Sequence, residues 1–110
     1  MRTDEGYIKF SCAHEAAPPP RHPWLHDLCR IRDDLHDWRL IGVLPDGIGY
    51  GNLSARLEDT LRFVVTASGT GFEYPIAERH FCEVQAFDIA QNTVICRGPL
   101  PASSESMSHG

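Results

Sequence analysis

Four short β-like segments lie in the chain from position 53 onward: 53–57, 61–66, 82–89 and 93–96. Each is rich in apolar and β-branched residues, which favour strands. Only a few residues separate the first two segments, around Glu58 and Asp59, and the last two, around Gln91 and Asn92. A parallel crossover needs about a dozen residues or more. The spacing therefore predicts antiparallel hairpins.

One amphipathic helix is predicted ahead of these strands. Its apolar positions recur in alternating steps of four and three residues: Trp24, Leu28, Ile31, Leu35 and Trp38. This spacing places them on one helix face, which we expect to contact the core. Pro23 suits the first turn and Gly42 the end of the helix. The charged residues lie mostly off the stripe and are interpreted as a solvated face: Arg30, Arg32, Asp33, Asp34 and Asp37.

Residues 1–23 are predicted to be an N-terminal arm laid on a domain that occupies residues 24–110. Prolines at positions 18, 19, 20 and 23 fix φ and remove backbone donors, which favours an extended connector. The one patterned piece of the arm, 6–10, is interpreted either as a short edge strand or as a loosely held terminus.

Charge and hydropathy exclude several classes of partner. The net charge is −5 and lysine occurs once, so we expect no sequence-independent attraction for nucleic acid or for an anionic membrane. No segment approaches the roughly 18 apolar residues that span a bilayer, and the first residues lack the apolar core of a secretory signal. A cytoplasmic location is expected. The four cysteines form no Cys-x-x-Cys pair, which predicts free, mostly buried thiols.

A serine pair followed by an acid lies close to position 110, at Ser103, Ser104 and Glu105. A second helix is predicted to begin near Ser103. Hydroxyls at a helix start lie beside backbone N–H groups that have no helical acceptor, and together they suit an anion such as phosphate. The local pattern alone is more typical of a plain helix cap in a small α/β domain. The local pattern leaves both interpretations open.

Two upstream motifs combine glycine with polar groups. Gly51 and Asn52 can form a tight turn whose amide offers donors to a ligand oxygen. The segment 68–71, which begins with Ser68 and Gly69, follows an apolar strand and can present backbone N–H groups to an anion. Each motif alone is more typical of an ordinary turn.

In their order along the chain, these motifs resemble the class II aldolase/adducin family. The pieces are Gly-Asn-x-Ser-x-Arg at 51–56, Thr-x-Ser-Gly at 66–69 and Gly-x-x-x-x-Ser-Ser-Glu at 98–105. A histidine, His109, follows the acid by four residues. The resemblance covers about residues 24–110 and corresponds to the N-terminal half of such a domain, truncated before its metal-binding histidines.

The resemblance implies metal-dependent aldol cleavage, or dehydration, of a sugar phosphate by a zinc-dependent carbon–carbon lyase. Glu105 would be the general acid/base. The residues implied in phosphate binding are Asn52, Ser68, Gly69, Ser103 and Ser104. Relatives are commonly homo-oligomers, often tetramers, with a small phosphorylated sugar-like substrate.

The family's zinc is held by a His-x-His pair some way after the Ser-Ser-Glu motif and by a later histidine, neither of which this chain contains. The sequence therefore supports no metal site by itself, and we expect the truncated chain to be inactive as an aldolase. The alternative that the same resemblance implies is a non-catalytic, adducin-like module for interaction or oligomerisation.

The predicted fold class is α/β. The family resemblance implies a three-layer α/β/α domain with a largely antiparallel central sheet, present here as an incomplete portion. We expect such a portion to leave an unpaired sheet edge.

Overall fold

The computed structural model of the protein describes residues 9–57 and 60–109, and it describes positions 105, 107 and 108 by their backbone alone. These ranges form an α/β domain with one five-stranded mixed sheet, a two-stranded ribbon and one α-helix. The strands are β1 (Ser11–Ala16), β2 (Gly42–Val43), β3 (Gly49–Tyr50), β4 (Ser54–Arg56), β5 (Phe63–Thr66), β6 (Phe81–Asp88) and β7 (Thr93–Gly98). The helices are α1 (Leu25–Asp37) and two 3-10 segments, Glu78–His80 and Ser104–His109.

The main sheet has the strand order β1-β7-β6-β5-β4. The pairs β4–β5 and β6–β7 are antiparallel, as the short reversals predict, and β5–β6, joined by a longer connection, is antiparallel as well. At the β6–β7 reversal, Asn92 has a φ of 51°, a left-handed conformation that Asn tolerates better than most residues. The predicted hairpins are therefore confirmed, although residues 58 and 59 of the first turn lie outside the described ranges.

Strand β1 was not predicted. It lies inside the proline-rich arm and pairs in parallel with β7, from Ser11 opposite Thr93 to Ala16 opposite Gly98. Its sequence does not alternate apolar and polar residues, the pattern by which a half-buried strand is recognised, and most of its side chains are exposed. Residues 6–8 of the predicted edge strand 6–10 lie outside the described ranges, and Phe10 precedes β1 and packs on the core.

The core consists of two clusters on opposite faces of the sheet. Strand β5 contributes to both, because successive side chains of a strand point to opposite faces. Phe63 and Val65 pack on one face with Val84 and Cys96, whereas Val64 packs on the other face with Phe81. All four residues of β5 are buried, because β5 lies between β6 and β4 and both of its faces are covered by core clusters.

Helix α1 covers the second face, but the predicted core stripe is only partly correct. Leu28 is buried and Leu35 is half-buried, whereas the other three positions of the stripe are exposed. Leu25 and Leu28 are buried against Val64 and Phe81. Trp24, Ile31 and Trp38 are 62%, 44% and 69% exposed. The helix is rotated so that positions 25, 28 and 32 face inward, a spacing equally compatible with the helical period. Among the described helices, none has both the length and the apolar character needed to cross a membrane.

The segment after β7 folds as a 3-10 turn, Ser104–His109, and not as the predicted second α-helix. The backbone N–H of Ser106 donates to the carbonyl of Ser103 at 3.0 Å, and its hydroxyl donates to the same oxygen at 2.7 Å. At the other end of the turn, His109 Nδ1 lies 2.6 Å from the hydroxyl of Ser54 on β4. These contacts fasten the segment beside the edge of the sheet.

Candidate functional site

A cleft of about 210 Å³ lies where three distant pieces of the chain meet. One piece precedes β4, the second follows β5, and the third precedes the C-terminal 3-10 turn. The lining residues are Gly49, Tyr50, Gly51, Asn52, Ala67, Ser68, Gly69, Thr70, Gly71 and Ser103.

The antiparallel pairing of β4 with β5 brings the first two pieces together. Because Ser54 lies opposite Val65, the residues before β4 lie beside the residues at the end of β5. The Thr66 hydroxyl accepts from the Leu53 N–H at 3.1 Å and donates to Asn52 Oδ1 at 2.9 Å. This hydroxyl therefore sets the orientation of the Asn52 carboxamide.

The third piece is joined to the second through the backbone. The N–H of Ser68 donates to the carbonyl of Pro101 at 2.8 Å, which places Ser103 at the cleft. The preceding residue, Ala67, donates its N–H to the carbonyl of His80 at 2.8 Å. The start of the loop is thus held by the C-terminal segment on one side and by the start of β6 on the other.

The loop 68–71 has a defined shape. The Thr70 hydroxyl donates to the Ala67 carbonyl at 2.8 Å. Gly69 has a φ of 75°, and a β-carbon placed on Gly71 would lie 2.5 Å from the carbonyl oxygen of Gly42. Among the described residues, the N–H groups of Gly69 and Gly71 find no hydrogen-bond acceptor. They are polar groups that an external acceptor would satisfy.

Arg32 holds this loop from the side of α1. Its side chain is 1% exposed, and its Nη2 donates to the carbonyls of Thr70 at 2.8 Å and Gly71 at 3.2 Å. Its Nη1 donates to the carbonyl of Glu73. The neighbouring carboxylate of Asp33 lies 3.4 Å from Nη1 and accepts the Ile76 N–H at 2.9 Å. A buried guanidinium therefore joins the helix to the loop that lines the cleft.

Sequence reasoning missed Arg32, which the helical pattern assigned to a solvated face. A signal was present, since Leu25, Leu28 and Arg32 are spaced three and four residues apart and share one helix face. A charged residue on the inward face of a helix needs partners inside the protein. The alternative stripe through Trp24 and Trp38 obscured this signal.

Four of the sequence-predicted site residues, Asn52, Ser68, Gly69 and Ser103, lie together on the cleft. The fifth binding residue, Ser104, is exposed at the start of the 3-10 turn and does not line it. The backbone of Glu105 is in the same turn, but its side chain lies outside the described residues.

A larger cleft of about 360 Å³ lies under the proline run and contains none of the predicted site residues. Two of its three charged lining residues are in ion pairs: Arg97 Nε lies 3.3 Å from Glu15, and Glu83 lies 3.5 Å from Arg62. The third is Arg21. The smaller cleft is the better candidate for the predicted anion site, because four of the predicted binding residues line it.

The described residues do not fit the zinc ion that the family resemblance implies. Within 9–57 and 60–109, no three His, Cys, Asp or Glu side chains converge on one point. The histidines have other partners: His14 contacts the Gly98 carbonyl, His22 the Arg56 carbonyl, and His109 the Ser54 hydroxyl. We therefore derive no step through a metal.

His80 is buried beneath the same loop in its neutral form. Its Nδ1 accepts the Ala77 N–H at 2.9 Å, which leaves the proton on Nε2, 3.6 Å from Glu73 Oε1. Burial, followed by the nearby charge of Arg79, holds the pKa of His80 below its ordinary value of 6.5. Folding thus disfavours the protonated imidazole.

Acidification should weaken the fold through His80. Near and below pH 6.5 the unfolded chain binds a proton that folded His80 resists, so the unfolded state gains stability as the pH falls. The contribution of neutral His80 to the free energy of unfolding is fully present above pH 6.5. It is lost as the pH falls towards the lower pKa that His80 has in the folded protein. Urea unfolding between pH 7.5 and 5 should show a smaller pH slope for His80→Gln. The exposed His26, changed to Gln, should leave the slope unaltered, and equal slopes for both variants and the parent chain would contradict the assignment.

No family model, curated protein or solved structure matches the chain. The resemblance to class II aldolase/adducin domains therefore stays a prediction that rests on the ordered motifs.

Proposed function

We propose that the cleft binds the phosphate of a small, phosphorylated, sugar-like substrate, as the phosphate-binding half of a class II aldolase-like site. The observation that carries this proposal is the convergence of Asn52, Ser68, Gly69 and Ser103 on one small cleft. These residues come from three separate motifs, and the resemblance assigned all four to phosphate. Turns and helix caps with a purely structural role would not be expected to lie together on one cleft.

The chemistry of the lining suits an oxyanion. The Ser68 and Ser103 side chains carry hydroxyls, and the Asn52 carboxamide is oriented by Thr66. The N–H groups of Gly69 and Gly71 add backbone donors of the kind that form anion-binding concavities. A volume of about 210 Å³ suits a phosphate with a short carbon chain better than a large cofactor.

Arg32 supports the proposal by fixing the loop, although it contacts the loop and not the cleft. Its guanidinium binds the Thr70 carbonyl. In a trans peptide the following N–H points opposite to the carbonyl, so the N–H of Gly71 is directed away from Arg32. The Asp33 carboxylate, 3.4 Å from Nη1, offsets the charge of Arg32, so the contribution of Arg32 is to hold these peptides in place. With a net charge of −5, an anion has to be held by local donors such as these peptide N–H groups.

The proposal includes a role for the acid and a layer arrangement. Glu105 follows Ser103 by two residues, and we propose that it serves as general acid/base once substrate is bound. One helical layer of the proposed three-layer α/β/α arrangement is supported by α1, which covers one face of the sheet. Aldol cleavage or dehydration would further need the metal, whose ligands the described residues do not provide.

Titration with inorganic phosphate, followed by two-dimensional amide NMR, tests the proposal. We expect saturable shifts at Ser68, Gly69 and Gly71, and tighter binding of a ketose 1-phosphate than of phosphate. Changing Ser68 to Ala should weaken phosphate binding by about tenfold, because a hydrogen bond to a charged group contributes about 1.5 kcal/mol or more.

The matched control is Ser11→Ala, an exposed serine on β1 at the opposite edge of the sheet. It should bind phosphate as the parent chain does. Shifts spread over exposed residues far from the cleft, or equal weakening by both substitutions, would show that phosphate does not select this cleft and would remove the proposal.

An adducin-like interaction module is the second candidate function. It is favoured by the apolar stripe of Trp24, Ile31 and Trp38, which α1 exposes to solvent, and by the two edge strands of the sheet, β1 and β4. Exposed aromatic patches and open sheet edges are common features of protein-binding surfaces. A chain of this kind would bind no phosphate in the titration above.

A further inference from the structure

Two cysteines that are far apart in the sequence meet where the N-terminal strand joins the sheet. Cys12 is on β1 and Cys96 is on β7, and their sulfur atoms lie 2.9 Å apart. The strands pair in parallel, with Cys12 opposite Val94 and Cys96 opposite His14, so the two side chains meet diagonally across adjacent strands. The pair is part of the core cluster on the sheet face opposite α1.

The distance places the two thiols in direct contact. A disulfide bond is about 2.05 Å long, so the sulfurs must approach by a further 0.9 Å or so to bond. The third thiol of the cluster, Cys82 on β6, and Cys96 are fully buried, whereas Cys12 is partly exposed. An oxidant in solution can therefore reach Cys12 before either of the others.

We propose that Cys12 and Cys96 are a redox modification site, which forms a reversible disulfide that fastens β1 to β7. The oxidant is a peroxide. The Cys12 thiolate attacks one peroxide oxygen, the O–O bond breaks, and Cys12 becomes a sulfenic acid while hydroxide leaves and takes up a proton. The Cys96 sulfur then attacks the Cys12 sulfur, the S–O bond breaks, and the departing hydroxide takes the Cys96 proton. Two thiols lose two electrons and hydrogen peroxide becomes two waters.

The environment of the sulfurs supports this order of events. Burial raises the pKa of Cys96 to about 11, and burial also raises the pKa of Cys82. Both are neutral thiols at ordinary pH and react slowly with an oxidant, because the thiolate is the nucleophile. Cys96 acts as the resolving thiol because the contact with Cys12 places it within reach of the sulfenic acid, and the leaving hydroxide takes its proton.

The bond would stabilise an otherwise weakly held strand. Most β1 side chains are exposed, so the strand relies on its pairing with β7. The two cysteines are 84 positions apart, and closing a loop of that length restricts the unfolded chain strongly. Beyond Cys96 the chain continues through Pro101 to Ser103, so the disulfide would also restrict the motion of β7, the strand that leads to the cleft.

The test uses the unmodified chain, first reduced with dithiothreitol and then treated with a small excess of hydrogen peroxide. We expect the thiol count to fall from four to two, with peptide mapping after alkylation showing one intramolecular link between Cys12 and Cys96. Dithiothreitol should restore all four thiols. The melting temperature of the oxidised chain should be about 10 °C higher than that of the reduced chain.

Single substitutions separate the possible pairings. Cys29 lies on α1 in the other core cluster, so Cys29→Ser should leave both the link and the rise in melting temperature intact. Cys82→Ala should also keep the link, and Cys12→Ser should abolish it. Links that are only intermolecular, a link through Cys29 or Cys82, or four unchanged thiols in the unmodified chain would each overturn the proposal.

Discussion

Replacing Arg32 with Met should lower the free energy of unfolding by about 3–5 kcal/mol, since each backbone acceptor left buried and unsatisfied costs about 1–3 kcal/mol. The guanidinium is 1% exposed and donates to the carbonyls of Thr70, Gly71 and Glu73. Methionine fills much of the volume but offers no donor. The loss should be visible as a lower urea midpoint in equilibrium unfolding.

Arg30→Met is the matched control, because the Arg30 side chain is 74% exposed and makes a long surface ion pair with Asp27, at 3.8 Å. Such pairs contribute about 0–1 kcal/mol, so its urea midpoint should hardly move. Arg32→Lys should fall between the two, since one ammonium cannot match the planar fork that reaches several carbonyls. A loss of less than 1 kcal/mol in Arg32→Met would mean that other contacts hold the loop.

Changing Gly71 to Ala should destabilise the protein by about 3 kcal/mol, at the upper end for overpacking, because the added carbon meets backbone that cannot rotate away. Its ideal position is 2.5 Å from the Gly42 carbonyl oxygen and 3.2 Å from the Gly49 Cα. Relief requires the loop 68–71 to separate from the β2–β3 ribbon. The same movement would open the wall of the cleft.

Two other glycines of the same region serve as controls. A β-carbon on Gly49 would lie 3.7 Å from the Gly42 oxygen, an ordinary contact, so Gly49→Ala should change stability little. Gly69 has open space but a φ of 75°, so Gly69→Ala should cost only about 1–2 kcal/mol from backbone strain. Equal effects at all three positions in thermal unfolding would refute the close-contact explanation.

The residues of the cleft could be predicted from the sequence, but their meeting in one place could not. The motifs named Asn52, Ser68, Gly69 and Ser103 as candidates, because glycine and hydroxyl residues in turns have a recognisable composition. That these residues meet on one cleft depends on the pairing of β4 with β5 and on the hydrogen bond from Ser68 to Pro101. Whether they bind phosphate, and whether Glu105 acts on a substrate, stay predictions.

The helix shows where the sequence was insufficient. It predicted the existence of α1 correctly, since apolar residues recur with a helical period. The predicted stripe contained the buried Leu28 but also Trp24, Ile31 and Trp38, which are exposed. The inward face runs instead through Leu25, Leu28 and Arg32. Only the position of the loop 68–71, far along the chain, makes Arg32 the inward residue.

The sequence by itself determined the local elements: the hairpins β4–β5 and β6–β7 and the amphipathic helix. Short reversals and residue periodicity depend on neighbours a few positions away, so the chain carries those signals directly. The tertiary structure alone decided the docking of β1 on β7, the rotation of α1 and the burial of Arg32. These depend on partners dozens of residues distant, whose proximity no local pattern specifies, and a buried charge is tolerated only where such partners satisfy it.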